Sequence, residues 1–298
     1  KLPNFSNCIF LLDEIQALPP RLYVFFVAYL NRFCEKFGSY AIISTATQPN
    51  FELPKDNSVA LKFFKQYSNP YPLLPLSYFN NNLFNRYQID FIKEPIDSET
   101  LKDSILAENS STLVILNTID DTKLLYKLLL EEFKKEEVLL LNTHLTPRHR
   151  KIEIYLAKRR LRQNKHVIVV STQLIEAGVD IDFPVLYREF ATISSIVQSA
   201  GRCNRNGRLG MLGKVKLFKL HNKGKIRSDI IYQGKDKEIL RFTKESFLKT
   251  NYQERELIEV QKEFFQRIQS ELNFAKHSQN SPNLEFDFLK DIQECMYE

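Results

Sequence analysis

The feature that most limits what this chain can fold into is a recurring alternation. Short apolar runs at residues 7–12, 40–44, 112–116, 138–141, 166–170 and 214–220 are separated by longer polar or amphipathic stretches. Apolar runs of that length suit strands buried on both faces, and helical crossovers between them give an α/β class with a parallel sheet between helices. Within residues 120–133, Leu124, Leu125, Leu128 and Leu129 recur at helical spacing. Thr146 followed by Pro147 marks another helix start, because threonine caps and proline suits the first turn. Residues 50–85 are rich in asparagine, aromatics and proline, with Pro54, Pro70, Pro72 and Pro75. Regular structure is expected to break there, which places an interlobe boundary close by. Beyond Leu220 no further strand is evident, and Leu257, Val260, Phe264, Ile268 and Leu272 share one helical face, so a helical appendage is expected. The expected segments are 1–95, 96–222 and 223–298.

With 298 residues, 43% of them hydrophobic, the chain can bury a substantial core. The net charge of +6 favours a polyanionic partner but falls short of a nucleic-acid-coating protein. Cys8, Cys34, Cys203 and Cys295 are too scattered for a structural zinc site, which makes a reducing cytoplasm the expected location. The longest apolar run, residues 22–30, is about half of what a membrane-spanning helix needs, and no charged-then-apolar leader opens the chain.

Chemistry-bearing residues gather where the apolar runs end. Asp13-Glu14-Ile15-Gln16 follows the first run, so two carboxylates emerge at the carboxyl end of a buried strand, where α/β sheets bind ligands. An aspartate there suits Mg²⁺ and the adjacent glutamate suits polarising a water that attacks a γ-phosphate; alone, the tetrapeptide also fits a solvated turn. Ser44-Thr45-Ala46-Thr47 ends the second run with hydroxyls that fit either a coupling element or a simple cap. The stretch from Ser171 to Asp180 combines hydroxyls, glycine and acid. Thr172 is placed to bond a nucleic-acid phosphate, Gly178 permits close approach, and Asp180 meets a ribose hydroxyl or an arginine; a plain strand-to-helix connection is the alternative. Gln198-Ser199-Ala200-Gly201-Arg202-Cys203-Asn204-Arg205 has the form Q-x-x-G-R-x-x-R, the most specific signal in the chain. Two guanidiniums three residues apart share one helical face or turn and suit the dispersed charge of a phosphoryl-transfer transition state. A basic run from His144 to Lys165 fits either phosphate contact or a solvated helix face, and Thr143 and His144 fall where a nucleic-acid track would pass.

These four motifs, in this order, resemble motifs II, III, V and VI of superfamily 2 helicases. The stretches LLDEIQALPP, NTHLTPRHR, STQLIEAGVDIDF and QSAGRCNRNG resemble the CRISPR-associated type I helicases. The resemblance covers approximately residues 7–220 and implies RecA-like parallel sheets with flanking helices. The implied lobes are a partial first one and a complete second one, followed by a helical C-terminal region. It further implies ATP and Mg²⁺ as cofactors, with single-stranded DNA, a Cascade-type CRISPR surveillance complex and an upstream nuclease and first-lobe segment as partners, and no membrane. By similarity Asp13 handles Mg²⁺ and Glu14 is the hydrolytic base. Gln16, Gly178 and Asp180 attend the nucleotide, Gln198 senses it, and Arg202 and Arg205 act as arginine fingers. Thr172, Thr143 and His144 face nucleic acid. Gln16 stands where this family often has histidine.

No G-x-x-x-x-G-K-[ST] phosphate loop occurs among the eight glycines, and no histidine-aspartate nuclease pair precedes Asp13, so a fragment with a weakly supported first lobe and no ATPase activity of its own is expected. Two rival readings remain open. One is a different superfamily 2 motor, acting on RNA or in DNA repair. The other is a non-catalytic fragment that binds nucleic acid or protein.

Overall fold

The computed structural model describes residues 2–18, 23–45, 47, 49, 51, 68–75, 77, 78, 81–176, 178–222 and 224–271. Ala46, Ala177, Leu272, Cys295 and most of the proline-rich stretch between residues 50 and 67 lie outside the described residues. The chain packs as two units, one comprising residues 1–72 with 265–298 and the other comprising residues 73–264.

In the first unit, β1 (Ile9–Asp13) and β2 (Tyr40–Ser44) pair in parallel, in register from Ile9 opposite Tyr40 to Asp13 opposite Ser44. Helix α1 (Tyr23–Phe37) is the crossover between them. One face of the strand pair joins an aromatic cluster. Phe10 and Phe33 have ring centroids 5.8 Å apart, and Phe33 and Phe37 lie at 4.6 Å. Side chains alternate across a strand, so Ile9, Leu11, Tyr40 and Ile42 point the other way. They are exposed, Ile9 and Leu11 at 70% and Tyr40 at 73%. That apolar face of the strand pair is therefore uncovered.

The second unit contains, in order, β3 (Tyr87–Ile96), α2 (Ser98–Glu108), β4 (Thr112–Ile115), α3 (Ile119–Glu132), β5 (Val138–Leu141), α4 (Pro147–Arg162), β6 (Ile168–Ser171) and β7 (Val185–Glu189). There follow α5 (Ile193–Ala200), β8 (Gly213–Asn222), β9 (Lys225–Ile226), α6 (Arg227–Ile231), α7 (Lys235–Ser246), β10 (Asn251–Gln253) and, as far as Phe264, α8 (Leu257–Glu271). The sheet order is β10-β3-β8-β7-β4-β6-β5, parallel except for β10, and β9 pairs antiparallel with β8. The architecture is the expected α/β class with a parallel-dominated sheet.

Capping explains the helix starts. Asp97, Thr118 and Thr146 each accept a hydrogen bond from a main-chain amide three residues on, and Pro147 opens α4 as its spacing predicts. Helices α2 and α3 bury Leu101, Ile105, Leu125 and Leu129 against Val114, Val170, Tyr187 and Phe218 of the sheet. The alternate strand residues Leu113, Ile115, Val169 and Leu186 are also fully buried, so both faces of the sheet are covered.

Three strands depart from the sequence-based reading. β3 alternates along its length but carries Glu94 and Pro95 near its end, and its pairing with β8 shifts register between Ile92 and Ile96. A bulge is one of the few places a sheet tolerates proline. β3 lies in the larger sheet, although a boundary at residue 95 grouped it with the first segment. β7 is buried on both faces yet contains Arg188 and Glu189, which interrupt the apolar run that marks its neighbours. The region beyond Leu220 is not purely helical: β10 adds an antiparallel edge to β3, with Tyr252 buried and opposite Ile89. α8 carries the apolar face expected from Leu257, Val260, Phe264 and Ile268, all buried.

Candidate functional site

In the first unit, β1 ends at Asp13, and Glu14 takes the left-handed conformation at φ 57°. That turn is stabilised by the Glu14 amide, which donates to Asp13 Oδ1 at 3.0 Å. Both carboxylates thus leave the sheet at the carboxyl end of a strand. Gln16 is nearly buried and bridges two motifs. Its Nε2 donates to Glu14 Oε2, and its Oε1 accepts from the Thr45 hydroxyl just beyond β2. Thr45 also bonds within its own turn, to the main-chain oxygen of Thr47 at 2.7 Å. The carboxylate turn and the hydroxyl turn are therefore one hydrogen-bonded assembly, with Gln16 as its link. Tyr23 donates to the Gln16 main-chain oxygen at 3.3 Å, and burial pushes its phenol up beyond its ordinary range.

In the second unit, parallel strands place several loops at one sheet edge. Asn117 and Thr118 follow β4, Asn142, Thr143 and His144 follow β5, Thr172 follows β6, and Glu189 ends β7. Thr143 and His144 are exposed, whereas Thr172 is at 9% exposure. The His144 amide donates to Asn142 Oδ1 at 3.0 Å, and its Nδ1 lies 3.2 Å from Lys123 Nζ. The basic run occupies α4 and its flanks, with Arg148, Lys151, Arg159 and Arg162 exposed.

The glycine-acid loop and the arginine motif are bound together. Phe183 and Cys203 form a parallel bridge, with the Phe183 amide donating to Arg202 at 3.0 Å and the Asn204 amide donating to Phe183 at 2.9 Å. Asp182 accepts from the amides of Arg205 at 2.7 Å and Asn206 at 3.2 Å. Helix α5 carries half-buried Gln198 and stops at Ala200, so Arg202 and Arg205 lie in the turn beyond it and not on the helix. Their guanidiniums take different acceptors. Arg202 is buried, with Nη1 donating to the Val179 main-chain oxygen at 2.6 Å and Nη2 donating to that of Glu176. Arg205 is exposed and pairs with Asp180 at 3.2 Å. Gly178 sits at φ 70° with open space around it, a conformation that suits glycine.

Sequence reasoning did not single out the buried charges behind these loops. Glu176 accepts from Ser195 Oγ at 2.7 Å, from Ser199 Oγ at 2.8 Å and from Arg188 at 3.2 Å. Arg188, with no exposed surface, also donates to Asn117 Oδ1 at 2.9 Å and to Ser195 Oγ at 2.7 Å. Beside it Glu189 accepts from the Asn117 amide at 2.7 Å, and burial pushes its carboxyl up to about 7 despite that hydrogen bond and the Arg188 charge. The available signal was a pair of charged residues inside an otherwise apolar strand, which demands partners.

Residues 108–208 match a family model described as the C-terminal part of the CRISPR-associated nuclease/helicase Cas3. The CRISPR-associated nuclease/helicase Cas3 of Methanothermobacter thermautotrophicus is 29% identical over 205 residues, covering 66% of this chain and 24% of that protein. That of Haloferax volcanii is 40% identical over 76 residues, 26% of this chain and 8% of that protein. The chain thus spans a quarter or less of the length of these two relatives. Among solved structures, T. fusca Cas3 with AMPPNP shares the fold at a TM-score of 0.63 and 14% identity, over 97% of this chain and 37% of that one. A chain of a CRISPR RNA-guided surveillance complex in a pre-nicking state does so at 0.63 and 16%, over 96% and 39%. Over residues 108–208 the chain is therefore similar to the C-terminal part of the CRISPR-associated nuclease/helicase Cas3, in keeping with the motif order, and it shares the fold of the solved structures.

Proposed function

We propose that the chain supplies working parts of an ATP-driven motor that moves along single-stranded DNA and unwinds DNA in type I CRISPR defence. In this reading residues 1–72 contribute to a first RecA-like lobe, and residues 73–264, with β3 and β10 in their sheet, contain the second. The observation that carries it is the joining of the glycine-acid loop to the arginine turn, with Arg205 on Asp180 and Arg202 on the oxygens of residues 176 and 179. Two arginines held against a loop that leaves a sheet edge are suited to exchange those protein acceptors for phosphate oxygens when a nucleotide arrives.

Glu14 is then the base that polarises the attacking water, and Gln16 relays its position to Thr45. Gln198 reads the nucleotide, Gly178 and Asp180 respond to it, and Thr172, Thr143 and His144 face the DNA. For Mg²⁺ the donor fits: Asp13 offers one carboxylate at the carboxyl end of β1. That suits an ion that takes one or two protein carboxylates and completes its shell with water and phosphate oxygens. When bound, the ion neutralises charge on the phosphates.

The expected partners are a phosphate-cradling first-lobe segment, for which the open face of Ile9, Leu11, Tyr40 and Ile42 is a natural seat, and a CRISPR surveillance complex. Among the described residues no helix is long and apolar enough to cross a membrane. A cytoplasmic site of action is part of the proposal. The test is ATP turnover by the complete helicase with and without single-stranded DNA, in the parent and in Glu14→Gln.

A further inference from the structure

A charged pair buried behind the loops has no part in the roles assigned so far. Glu176 is 7% exposed and Arg188 not at all. Removing two charges from water is costly, and it is offset only where the remaining donors and acceptors are met. Here, apart from Arg188 Nε, they are met by residues from separate elements. The Glu176 carboxylate belongs to the loop after β6. It takes hydrogen bonds from Ser195 Oγ, within 2.8 Å of both oxygens, and from Ser199 Oγ at 2.8 Å, both on α5. Its countercharge, Arg188, comes from β7 and reaches on to Asn117 Oδ1 at 2.9 Å, at the end of β4. One carboxylate therefore fastens the glycine-acid loop, the helix that leads into the arginine turn, and two central strands.

The same residue is also where an arginine rests. Arg202 donates to the main-chain oxygen of Glu176 and to that of Val179 at 2.6 Å, and Arg205 pairs with Asp180 two residues after Gly178. Where the Glu176 side chain is held decides where the acceptors of both arginines lie. The Asn117 contact carries the network to the sheet edge at which Thr172 and His144 emerge. We propose that Glu176, held by Arg188, Ser195 and Ser199, is a positioning residue that sets Arg202 and Arg205 for phosphoryl transfer and links them to the DNA-facing edge. This rests on the motor reading above. A misplacement of catalytic groups by about 1 Å costs on the order of 100-fold in rate, so small movements of this loop matter.

The test uses the complete helicase with Glu176→Gln, and with Ser199→Ala as a milder variant that removes one donor and little volume. Positioning requires ATP binding within about 2-fold of the parent, while DNA-stimulated kcat falls by about 10-fold or more in Glu176→Gln and by a smaller factor in Ser199→Ala. Hydrogen exchange at the amides of residues 178–180 and 202–206 should rise in both variants and stay unchanged in α2. If Glu176→Gln does not fold, Ser199→Ala decides the outcome. Unchanged kcat with unchanged exchange, or a loss of kcat matched by an equal loss of folded protein, overturns the proposal. If the parent shows no DNA-stimulated turnover, the motor reading fails, whereas the exchange result still judges the fastening by Glu176.

Discussion

Gly213 opens β8 beside the arginine turn, and replacing it with alanine perturbs that turn without touching a charged residue. A methyl group at this position would stand 2.6 Å from Cys203 Sγ and 3.0 Å from Asn204 Cβ. Comfortable contacts lie at about 3.5–4.0 Å, so the overlap is on the order of 1 Å. Neither neighbour is a flexible tip. Cys203 is fully buried, with its sulfur 3.5 Å from the oxygen of Pro184 and 3.6 Å from that of Lys214. Asn204 is in the left-handed conformation at φ 45°, and its side chain donates to the oxygens of Arg86 at 2.8 Å and Met211 at 3.1 Å. Backbone must therefore move, at a cost in the upper part of the ~1–3 kcal/mol typical of overpacking. Restricting the unfolded chain returns a fraction of a kcal/mol, leaving about 2 kcal/mol and a Tm lowered by about 4–8 °C. A double-mutant cycle with Cys203→Ala, read by urea unfolding, should show a favourable coupling of about 1 kcal/mol, because the nearest clash is gone. Additivity within about 0.5 kcal/mol, or a neutral Gly213→Ala, would refute the reasoning.

Glu189 keeps its proton in the folded state up to about pH 7, whereas the unfolded chain loses it near the ordinary value of 4.5. Its folded pKa is raised, so its contribution is full below about pH 4.5 and is lost as pH rises towards 7, by about 3 kcal/mol over that window. Glu189→Gln should flatten the slope of unfolding free energy against pH there, and an unchanged slope would show that another group carries it. Arg205 has 40% of its side chain exposed, so Arg205→Ala should change stability by less than about 1 kcal/mol. In the complete helicase the same change should lower kcat by about 1000-fold if the side chain acts as a finger. Thermal unfolding and steady-state turnover separate the two effects.

Which parts of this fold could be read from sequence follows from where charge is buried. β4, β5 and β6 read as apolar runs, with Thr112 and Ser171 only at strand ends, because both faces of the sheet are covered. β7 has the same surroundings but spends two positions on Arg188 and Glu189, whose partners Glu176, Ser195 and Asn117 are distant in sequence, and so it escaped notice. β10 is short and polar at both ends, and pairing with β3, not its own composition, makes it a strand. Around the candidate site the carboxylate, glycine and arginine motifs were legible as residue types placed where apolar runs end. Their supports were not: serines on a helix are ordinary, and only the fold shows Ser195 and Ser199 meeting one buried carboxylate. Asp180 pairs with Arg205 in this structure. The expected placing of Arg202 and Arg205 on one helical face or turn resolves to a turn, since α5 stops before them.

The central claim is that Glu14 activates water for ATP hydrolysis driven by DNA. Steady-state turnover of the complete helicase, measured with saturating single-stranded DNA in the parent and in Glu14→Gln, addresses it most directly. The account requires turnover to fall by about 100-fold or more while ATP and DNA still bind. Turnover that survives Glu14→Gln at the parental level would contradict it.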